Sequence, residues 1–287
     1  MSPRRNARAA APRAPVYRSA TRGRTRALGQ HFLRDRSVVD RIVDLVAPTS
    51  RDLVVEIGPG RGALTESLVA RAGRLLTLEI DAELAGTLQA RFATSPHVEV
   101  RQADARGFDY RTLRPLAPDP DGRVLVVGNL PYSVGKPILA ALVDAAAGID
   151  EMALMLQKEV AERVAAEPGG KTYGALSVLT QVAVRARLAF SVPPGAFSPP
   201  PQVDSAVLHL VPHRAAPVPV TDPARFAAVV RAAFAQRRKS LANSLAAGLG
   251  VGAERARRLC EAAAIDPGRR AETLSLAEFA RLAATAA

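Results

Sequence analysis

The chain has few of the residues that build metal centres and disulfide frameworks. Its 287 residues include one cysteine, four histidines and no tryptophan. Because Cys260 has no second cysteine to pair with, an internal disulfide framework and a cysteine-based metal site are both excluded. The four histidines form no paired His/Cys spacing with the single cysteine, so we expect no metal catalysis. A reducing, cytoplasmic setting fits this composition best.

Long apolar runs are also lacking. No stretch is long and clean enough for a transmembrane helix, and the first residues lack the apolar region of a signal peptide. We therefore expect no membrane partner. At 48% hydrophobic residues, the chain can still bury a sizeable core, in one large or two moderate domains.

Acidic residues are missing from the N-terminal 26 residues, which hold eight arginines. The net charge is +12, and residues 222–287 carry eleven Arg and Lys against six Asp and Glu, which leaves the middle of the chain near neutral. Basic ends around a neutral body indicate a polyanionic partner such as nucleic acid. A solvated tail and an ordinary basic helix face are the alternatives. The tail also resembles a transit peptide, although Pro3, Pro12 and Pro15 disfavour the amphipathic helix that such a peptide needs.

From Leu28 onward, short apolar runs alternate with helical stretches, which predicts βαβ units and an α/β fold with a mainly parallel sheet. We expect a basic tail over residues 1–26, a ligand-binding domain over 27–213 and a small helical domain over 214–287. The predicted strands are Leu53–Ile57, Leu75–Ile80, Val98–Arg101, Val124–Gly128, Met152–Leu156, Val184–Val192 and Val203–Val211. The predicted helices are Val38–Ala47, Ala63–Ala72, Glu83–Phe92, Pro137–Ala146, Lys158–Ala166, Gly174–Ala183, Pro223–Ala235, Lys239–Ala247, Glu254–Ala263 and Ser275–Ala283.

A glycine-rich turn follows the first predicted strand. Gly58, Gly60 and Gly62 let the backbone approach a ligand at a helix N-terminus, which alone would also suit a nicotinamide dinucleotide. Glu56 at the end of the strand distinguishes this turn, because a carboxylate is unfavourable beside a pyrophosphate. It suits a cofactor that carries an ammonium and a sulfonium group, which indicates S-adenosylmethionine.

Two further acids follow the next strands. Glu79, about 20 residues beyond the glycines, stands where a carboxylate accepts ribose hydroxyls, with Ile80 beside it. Asp104, followed by Ala105, comes after the third strand and is a candidate acceptor for the adenine amino group. Asp81 is expected to cap the following helix. Single acids of this kind are usually caps, but three at successive strand ends are harder to explain in that way.

The tetrapeptide Asn129-Leu130-Pro131-Tyr132 ends the strand at Val124–Gly128. An adenine N6 amine is a poor nucleophile because its lone pair is delocalised into the ring. The Asn129 side-chain oxygen and the Leu130 carbonyl are candidate acceptors for the two amine protons, and Tyr132 is a candidate stacking partner for a flipped base. A turn with a half-buried tyrosine is the structural alternative.

Two later segments complete the candidate site. Phe197, within a proline-rich stretch, is interpreted as the second face of an aromatic clamp, with a core-anchoring ring as the alternative. Arg237, Arg238 and Lys239 form a basic cluster at a predicted helix start and are candidate phosphate contacts for RNA, with a solvated helix face as the alternative.

Taken together, the segments resemble the small-subunit ribosomal RNA adenine N6,N6-dimethyltransferases. The similarity runs from about Leu28 to the C-terminus and rests on eight segments in order. These segments are 28–33, 56–60, 79–81, 129–132, 155–160, 171–174, 197–205 and 234–240. The resemblance implies a Rossmann-like class I methyltransferase fold, dimethylation of two adjacent adenines near the 3′ end of small-subunit rRNA, and action as a monomer on a pre-ribosomal 30S-type particle.

The resemblance also implies an S-adenosylmethionine site. Its residues in this sequence are His31, Leu33, Gly58, Glu79, Asp104 and Asn129. Position 31 is often Asn in the family, so His31 is a departure, as is the continuation 133–136 after Tyr132. Three alternatives stay open: the large-subunit adenine methyltransferases of macrolide resistance, a non-catalytic RNA-binding assembly factor and, more distantly, a nicotinamide dehydrogenase.

Overall fold

The computed structural model describes residues 30–286, so the predicted basic tail, Leu28 and Gly29 lie outside the described residues. The strands are β1 Phe32–Leu33, β2 Leu53–Ile57, β3 Arg74–Glu79, β4 Val98–Gln102, β5 Val124–Asn129, β6 Glu151–Gln157, β7 Val184–Val192, β8 Phe197–Ser198 and β9 Ser205–Pro212. The helices are α1 Arg36–Val46, α2 Ala63–Val69, α3 Ala82–Arg91, α4 Gly135–Asp144, α5 Lys158–Val164, α6 Ala175–Gln181, α7 Pro223–Ala233, α8 Leu241–Leu249, α9 Ala253–Ala262 and α10 Leu276–Thr285.

Seven strands form one mixed sheet in the order β4-β3-β2-β5-β6-β9-β7. Strands β2 to β6 pair in parallel, while β9 is antiparallel to both β6 and β7. The prediction of an α/β fold with a mainly parallel sheet is therefore confirmed. The central parallel strands β2, β5 and β6 are mostly apolar because helices cover both faces of the sheet there, whereas the edge strand β4 is only partly buried.

Alternate residues of each strand enter two separate cores. Val55 and Ile57 of β2 pack into the core that includes α4, whereas Val54 packs with α1 and α2 on the opposite face. By the same alternation, Glu56 projects toward the α2 side. A carboxyl group at this position is buried, so it needs polar partners within the structure.

A third core holds the C-terminal helices together. It unites Phe226, Leu245 and Phe279 with Tyr173 and Val178, which precede the predicted domain boundary. The Tyr173 hydroxyl donates to the Leu274 carbonyl oxygen at 3.1 Å. The division at 213/214 stays a prediction, and α6 belongs to the C-terminal core by its packing.

Element ends differ from the predicted ones by up to three residues. Helix α8 begins at Leu241 rather than Lys239, because Ser240 adopts an extended conformation and serves as its N-cap. The predicted cap Asp81 is confirmed, since its carboxylate accepts from the amides of Glu83 and Leu84. Within residues 30–286, no helix is both long and apolar enough to cross a membrane.

Candidate active site

A cavity of about 300 Å³ opens at the carboxyl ends of β2, β3 and β5. From β2 the sheet continues through β3 to β4 on one side and through β5 to β6 on the other. Such a reversal of strand order leaves a crevice in which ligands of open α/β sheets bind. Parallel register places Gly128 opposite Ile57, which brings the glycine turn next to Asn129.

The cavity collects all ten predicted cofactor residues. Its lining includes His31, Leu33, Glu56, Gly58, Gly60, Glu79, Ile80, Asp104, Ala105 and Asn129. Two of the predicted catalytic residues, Leu130 and Tyr132, also line it. Phe197 does not.

The glycine turn has a backbone that side-chain-bearing residues rarely adopt. Gly58 and Gly60 have φ values of +66° and +56°. A Cβ atom on Gly60 would lie 2.9 Å from the Phe32 ring, which covers the turn, and the Arg61 guanidinium lies 4.5 Å from the centroid of that ring. The sequence analysis assigned no role to Phe32 or Arg61. Their contact could not be predicted, because the two residues belong to segments that are remote in sequence.

Glu79 stabilises the glycine turn through a hydrogen bond to its backbone. Its Oε2 accepts from the Gly60 amide and its Oε1 from the Asp81 amide, each at 3.0 Å. The residue is 3% exposed, and burial raises its pKa. A carboxylate can accept about four hydrogen bonds, so both oxygens retain capacity for the hydroxyls of a ligand.

Glu56 lies on the floor of the cavity, almost fully buried. The Thr65 hydroxyl of α2 donates to its Oε2 at 2.7 Å. Burial raises the pKa of Glu56 to about 8, and the nearby Glu79 acts in the same direction. A bound cation would favour the ionised form of this carboxyl group.

The Asp104 carboxylate already accepts several hydrogen bonds within the protein, which the sequence did not indicate. Arg106 donates from its backbone amide at 2.9 Å and from its Nε to both carboxylate oxygens at 3.0 Å. These hydrogen bonds lower the pKa of Asp104, so the side chain stays ionised. Arg106, which sequence reasoning missed, therefore shares Asp104 with any ligand bound there.

Asn129 has its amide group oriented by the N-terminal segment. Its Nδ2 donates to the His31 carbonyl oxygen at 2.9 Å. Because a carbonyl oxygen only accepts, the amide NH₂ must face His31, which leaves Oδ1 as the free acceptor of a side chain that lines the cavity. The Leu130 amide donates to Met155 at 3.0 Å and fixes the tetrapeptide to β6.

Tyr132 stands beside Asn129 with its ring half-buried at the cavity wall. Its hydroxyl and the Ser205 hydroxyl are 2.6 Å apart. The His31 imidazole lies on the ring, with centroids 5.6 Å apart and planes inclined by 33°. Neither contact was predicted, since both join segments remote in sequence.

The structure places Phe197 in the core and not at the cavity, so its interpretation as one face of an aromatic clamp stays a prediction. The side chain is 1% exposed and packs in the core with Leu33 and Val192. The reason is the antiparallel β1–β8 pair, which sets Phe197 opposite Leu33. The core-anchoring alternative describes this ring.

The basic cluster is exposed but does not stand on a helix. Arg237, Arg238 and Lys239 occupy the turn between α7 and α8. The Arg237 guanidinium donates to the Lys171 carbonyl oxygen at 2.5 Å. The cluster thus borders the 171–174 loop, which adds one exposed cation, Lys171, to this basic surface.

The strand order, the glycine turn and the acids at successive strand ends define a class I methyltransferase fold. A family model described as ribosomal RNA adenine dimethylase matches residues 22–287, and the chain belongs to this family.

Individual relatives cover almost the whole chain. Ribosomal RNA small subunit methyltransferase A of Chromohalobacter salexigens is 41% identical over 281 residues, which cover 98% of this chain and 96% of that protein. The protein of the same name from Xanthomonas axonopodis pv. citri is 44% identical over 263 residues, 90% of this chain and 94% of that one.

Two solved structures share the fold. A dimethyladenosine transferase from Plasmodium falciparum superposes with a TM-score of 0.73 at 23% identity, covering 88% of this chain and 96% of that one. The 23S rRNA methyltransferase ErmE superposes with a TM-score of 0.66 at 25% identity, covering 88% and 98%. This chain thus shares its fold with both enzymes.

Proposed function

We propose that this protein dimethylates the N6 amino groups of two adjacent adenines near the 3′ end of small-subunit rRNA. The methyl donor is S-adenosylmethionine, and the substrate is an assembling small ribosomal subunit in the cytoplasm. The relatives named for the small subunit, at 41% and 44% identity, support this substrate. The observation that carries the chemistry is the orientation of the Asn129 amide, which directs an acceptor into the cavity beside Tyr132.

The cavity suits S-adenosylmethionine by its size and its donors and acceptors. Its volume of about 300 Å³ lies at the lower end of the range for small-molecule sites. Glu79 offers acceptors to ribose hydroxyls, and Ile80, which is 47% exposed, offers an apolar face to the adenine. Glu56 offers a carboxyl group to the cationic end. When bound, the cofactor supplies an electrophilic methyl group on a sulfonium.

Asn129 acts on the target amine by geometry rather than basicity. Its Oδ1 accepts one N6 proton and the Leu130 carbonyl oxygen accepts the other, which turns the nitrogen lone pair toward the methyl group. An amide oxygen is too weak a base to remove the proton, so the proton leaves the product amine to solvent. The monomethylated amine keeps one proton, so one of these two acceptors is enough to orient it for the second transfer.

Tyr132 holds the base that carries this amine. Its half-buried ring at the cavity wall presents an aromatic surface on which a flipped adenine stacks. Burial raises the pKa of the Tyr132 phenol, so the hydroxyl stays protonated and the ring stays neutral at neutral pH. The role assigned to Tyr132 is therefore stacking and not proton transfer.

Incubation with labelled S-adenosylmethionine and each ribosomal subunit from cells lacking the modification tests the proposal. We expect label in the small subunit, at two adjacent adenines near the 3′ end of its RNA. Label in the large subunit instead would support the rival function shared with the 23S rRNA methyltransferase of the same fold. RNA binding without label on either subunit would support a non-catalytic assembly factor.

Glu79→Ala is expected to weaken S-adenosylmethionine binding by about 10- to 100-fold, because hydrogen bonds to a charged acceptor contribute about 1.5–3 kcal/mol. Glu79→Gln keeps one acceptor oxygen, so its affinity for S-adenosylmethionine should lie between those of the wild type and Glu79→Ala. Calorimetry on the purified protein measures both. Glu66→Gln, on the exposed face of α2, is the matched control. Unchanged affinity in Glu79→Ala would contradict the ribose role.

S-adenosylmethionine affinity is expected to rise with pH up to about pH 8 and then level off. Burial raises the Glu56 pKa to about 8 in the free protein, so this carboxyl group is largely protonated at neutral pH. A cationic ligand binds the ionised form better, so the affinity increases until the free carboxyl group has ionised.

Calorimetry across this pH range should show the slope in the wild type and a weaker slope in Glu56→Gln. The ligand's own amino group titrates identically with both proteins, so their difference isolates Glu56. Identical pH profiles would place the ligand's cation away from Glu56.

The basic surface around Arg237, Arg238 and Lys239 is proposed to contact RNA phosphates. Replacing all three with Ala should lower RNA affinity at low salt and reduce the log–log salt slope by about 2–3, because each phosphate contact contributes close to one. Deleting residues 1–26 in parallel tests the tail. An unaltered salt slope in the triple variant would show that these three side chains do not contact RNA phosphates.

A further inference from the structure

Two side chains contact Tyr132, and neither is assigned a contact with the target amine. The Ser205 hydroxyl bonds the phenol at 2.6 Å, and the His31 imidazole packs on the ring at 5.6 Å. We infer that Ser205 and His31 are positioning residues that fix the Tyr132 ring for a flipped adenine. This inference rests on the stacking role assigned to Tyr132 under the proposed function.

Ser205 is a rigid anchor because of its place in the sheet. It is the first residue of β9, where its backbone is paired with Gln157 of β6 on one side and Val192 of β7 on the other. The residue is 0% exposed. Buried hydroxyls need a hydrogen-bond partner, and the Tyr132 phenol provides it. The end of the tyrosine side chain is thus fixed to the central sheet.

His31 acts on the site through two different parts of the residue. Its backbone carbonyl accepts from Asn129 at 2.9 Å, whereas its ring packs on Tyr132. The ring is itself anchored, because its Nδ1 donates to the Pro199 carbonyl oxygen at 2.8 Å. Substitution of the side chain leaves the backbone acceptor in place, so it tests the contact with Tyr132 separately from the orientation of Asn129.

Positioning matters here because the proposed function assigns stacking on the base to Tyr132. Phe197 lies in the core and does not line the cavity. A single stacking ring must therefore be held in one orientation before the base arrives. Loss of that order should weaken RNA capture and leave cofactor binding unaffected.

Ser205→Ala and Tyr132→Phe remove the same hydrogen bond from opposite ends. Each is expected to raise the KM for unmethylated small subunits about threefold to tenfold, the range of one hydrogen bond. The KM of the double variant should not exceed the higher of the two single-variant KM values, because both substitutions remove the same hydrogen bond. Calorimetry should give an unchanged Kd for S-adenosylmethionine in all three.

A matched control separates positioning from stability. Ser244 is also buried, and its hydroxyl donates to the Gln236 carbonyl oxygen at 3.1 Å in the C-terminal domain. Ser244→Ala and Ser205→Ala should lower the thermal midpoint by similar amounts. Only Ser205→Ala should raise the KM for the ribosomal substrate.

The His31 contact is tested with two substitutions of different shape. His31→Phe keeps a ring beside Tyr132, whereas His31→Asn, the residue frequent in the resembling family, removes it. We expect the KM for small subunits to rise more in His31→Asn than in His31→Phe. Equal KM values in the two variants would show that the His31 ring does not position Tyr132.

Tyr132→Ala distinguishes failure of the inference from failure of the proposed function. If Tyr132→Ala methylates like the wild type, the stacking role itself is wrong, and the positioning inference with it. If Tyr132→Ala is defective while Ser205→Ala and Tyr132→Phe have wild-type KM values, the inference is overturned and the proposed function stands. Additive effects in the double variant would overturn it equally.

Discussion

Asn129→Ala is expected to reduce methyl transfer by about 10²-fold or more, the scale of losing one placed polar group at a reacting centre. The amide NH₂ of Asn129 is committed to the His31 carbonyl, so Oδ1 is available to the target amine. Removing it leaves one N6 proton without its acceptor and the lone pair delocalised into the ring. Single-turnover methyl transfer to small subunits measures the effect.

The affinity for S-adenosylmethionine should change little in this variant, because the cofactor keeps Glu79 and the glycine turn. Asn129→Asp is a second test, since a carboxylate keeps the acceptor at Oδ1 but replaces the Nδ2 donor with an oxygen that faces the His31 carbonyl oxygen. We expect it to be defective as well. Asn243→Ala, on the exposed face of α8, serves as the control for an asparagine outside the site. Near-normal turnover in Asn129→Ala would rule out its role in orienting the amine.

The sheet and the cofactor side of the site could be predicted because their signals are local. Apolar runs predict buried strands, and the residue that ends such a run lies at the sheet edge where ligands bind. Glu56, Glu79 and Asn129 were located in this way, and all three line the cavity. The positive φ angles of Gly58 and Gly60 agree with the glycine preference of such a turn.

Contacts between distant segments could not be predicted from one sequence. Tyr132 and Ser205 are 73 positions apart, and nothing local to either indicates their hydrogen bond. The same holds for Phe32 over Gly60. Arg106 differs, because it is only two residues from Asp104, and so close a spacing of opposite charges is a local signal of their pairing.

The start of α8 was also open to a better prediction. Serine is a favoured N-cap residue, and Ser240 directly precedes the apolar Leu241, although its hydroxyl makes no capping hydrogen bond in the structure. Applying the capping preference would have begun the helix at Leu241 and left the basic cluster in a turn. In this turn all three side chains are exposed, although Arg237 also donates to the Lys171 carbonyl oxygen, and such a turn suits contact with a phosphate backbone better than one helix face does.

Phe197→Ala is expected to lower the free energy of unfolding by about 3–5 kcal/mol, the usual cost of removing a buried aromatic ring. The ring is 1% exposed among Leu33, Val192 and their neighbours, and the β1–β8 pair holds it there. Phe197→Leu should restore most of the stability, because it refills the larger part of the cavity. Chemical denaturation measures both, with Phe279→Ala and Phe279→Leu in the C-terminal core as matched controls.

The leucine variant also decides between a core ring and a stacking ring. A residue that only fills the core should, in Phe197→Leu, recover methyl transfer along with stability. A ring that leaves the core to stack on the base would give a stable protein with a KM for small subunits as high as that of Tyr132→Ala. The buried position of Phe197 favours the first outcome, because exposing the ring would open the β1–β8 pair that also carries His31 toward Asn129. The second outcome would mean that RNA binding rearranges the N-terminal segment and that Tyr132 and Phe197 enclose the base together.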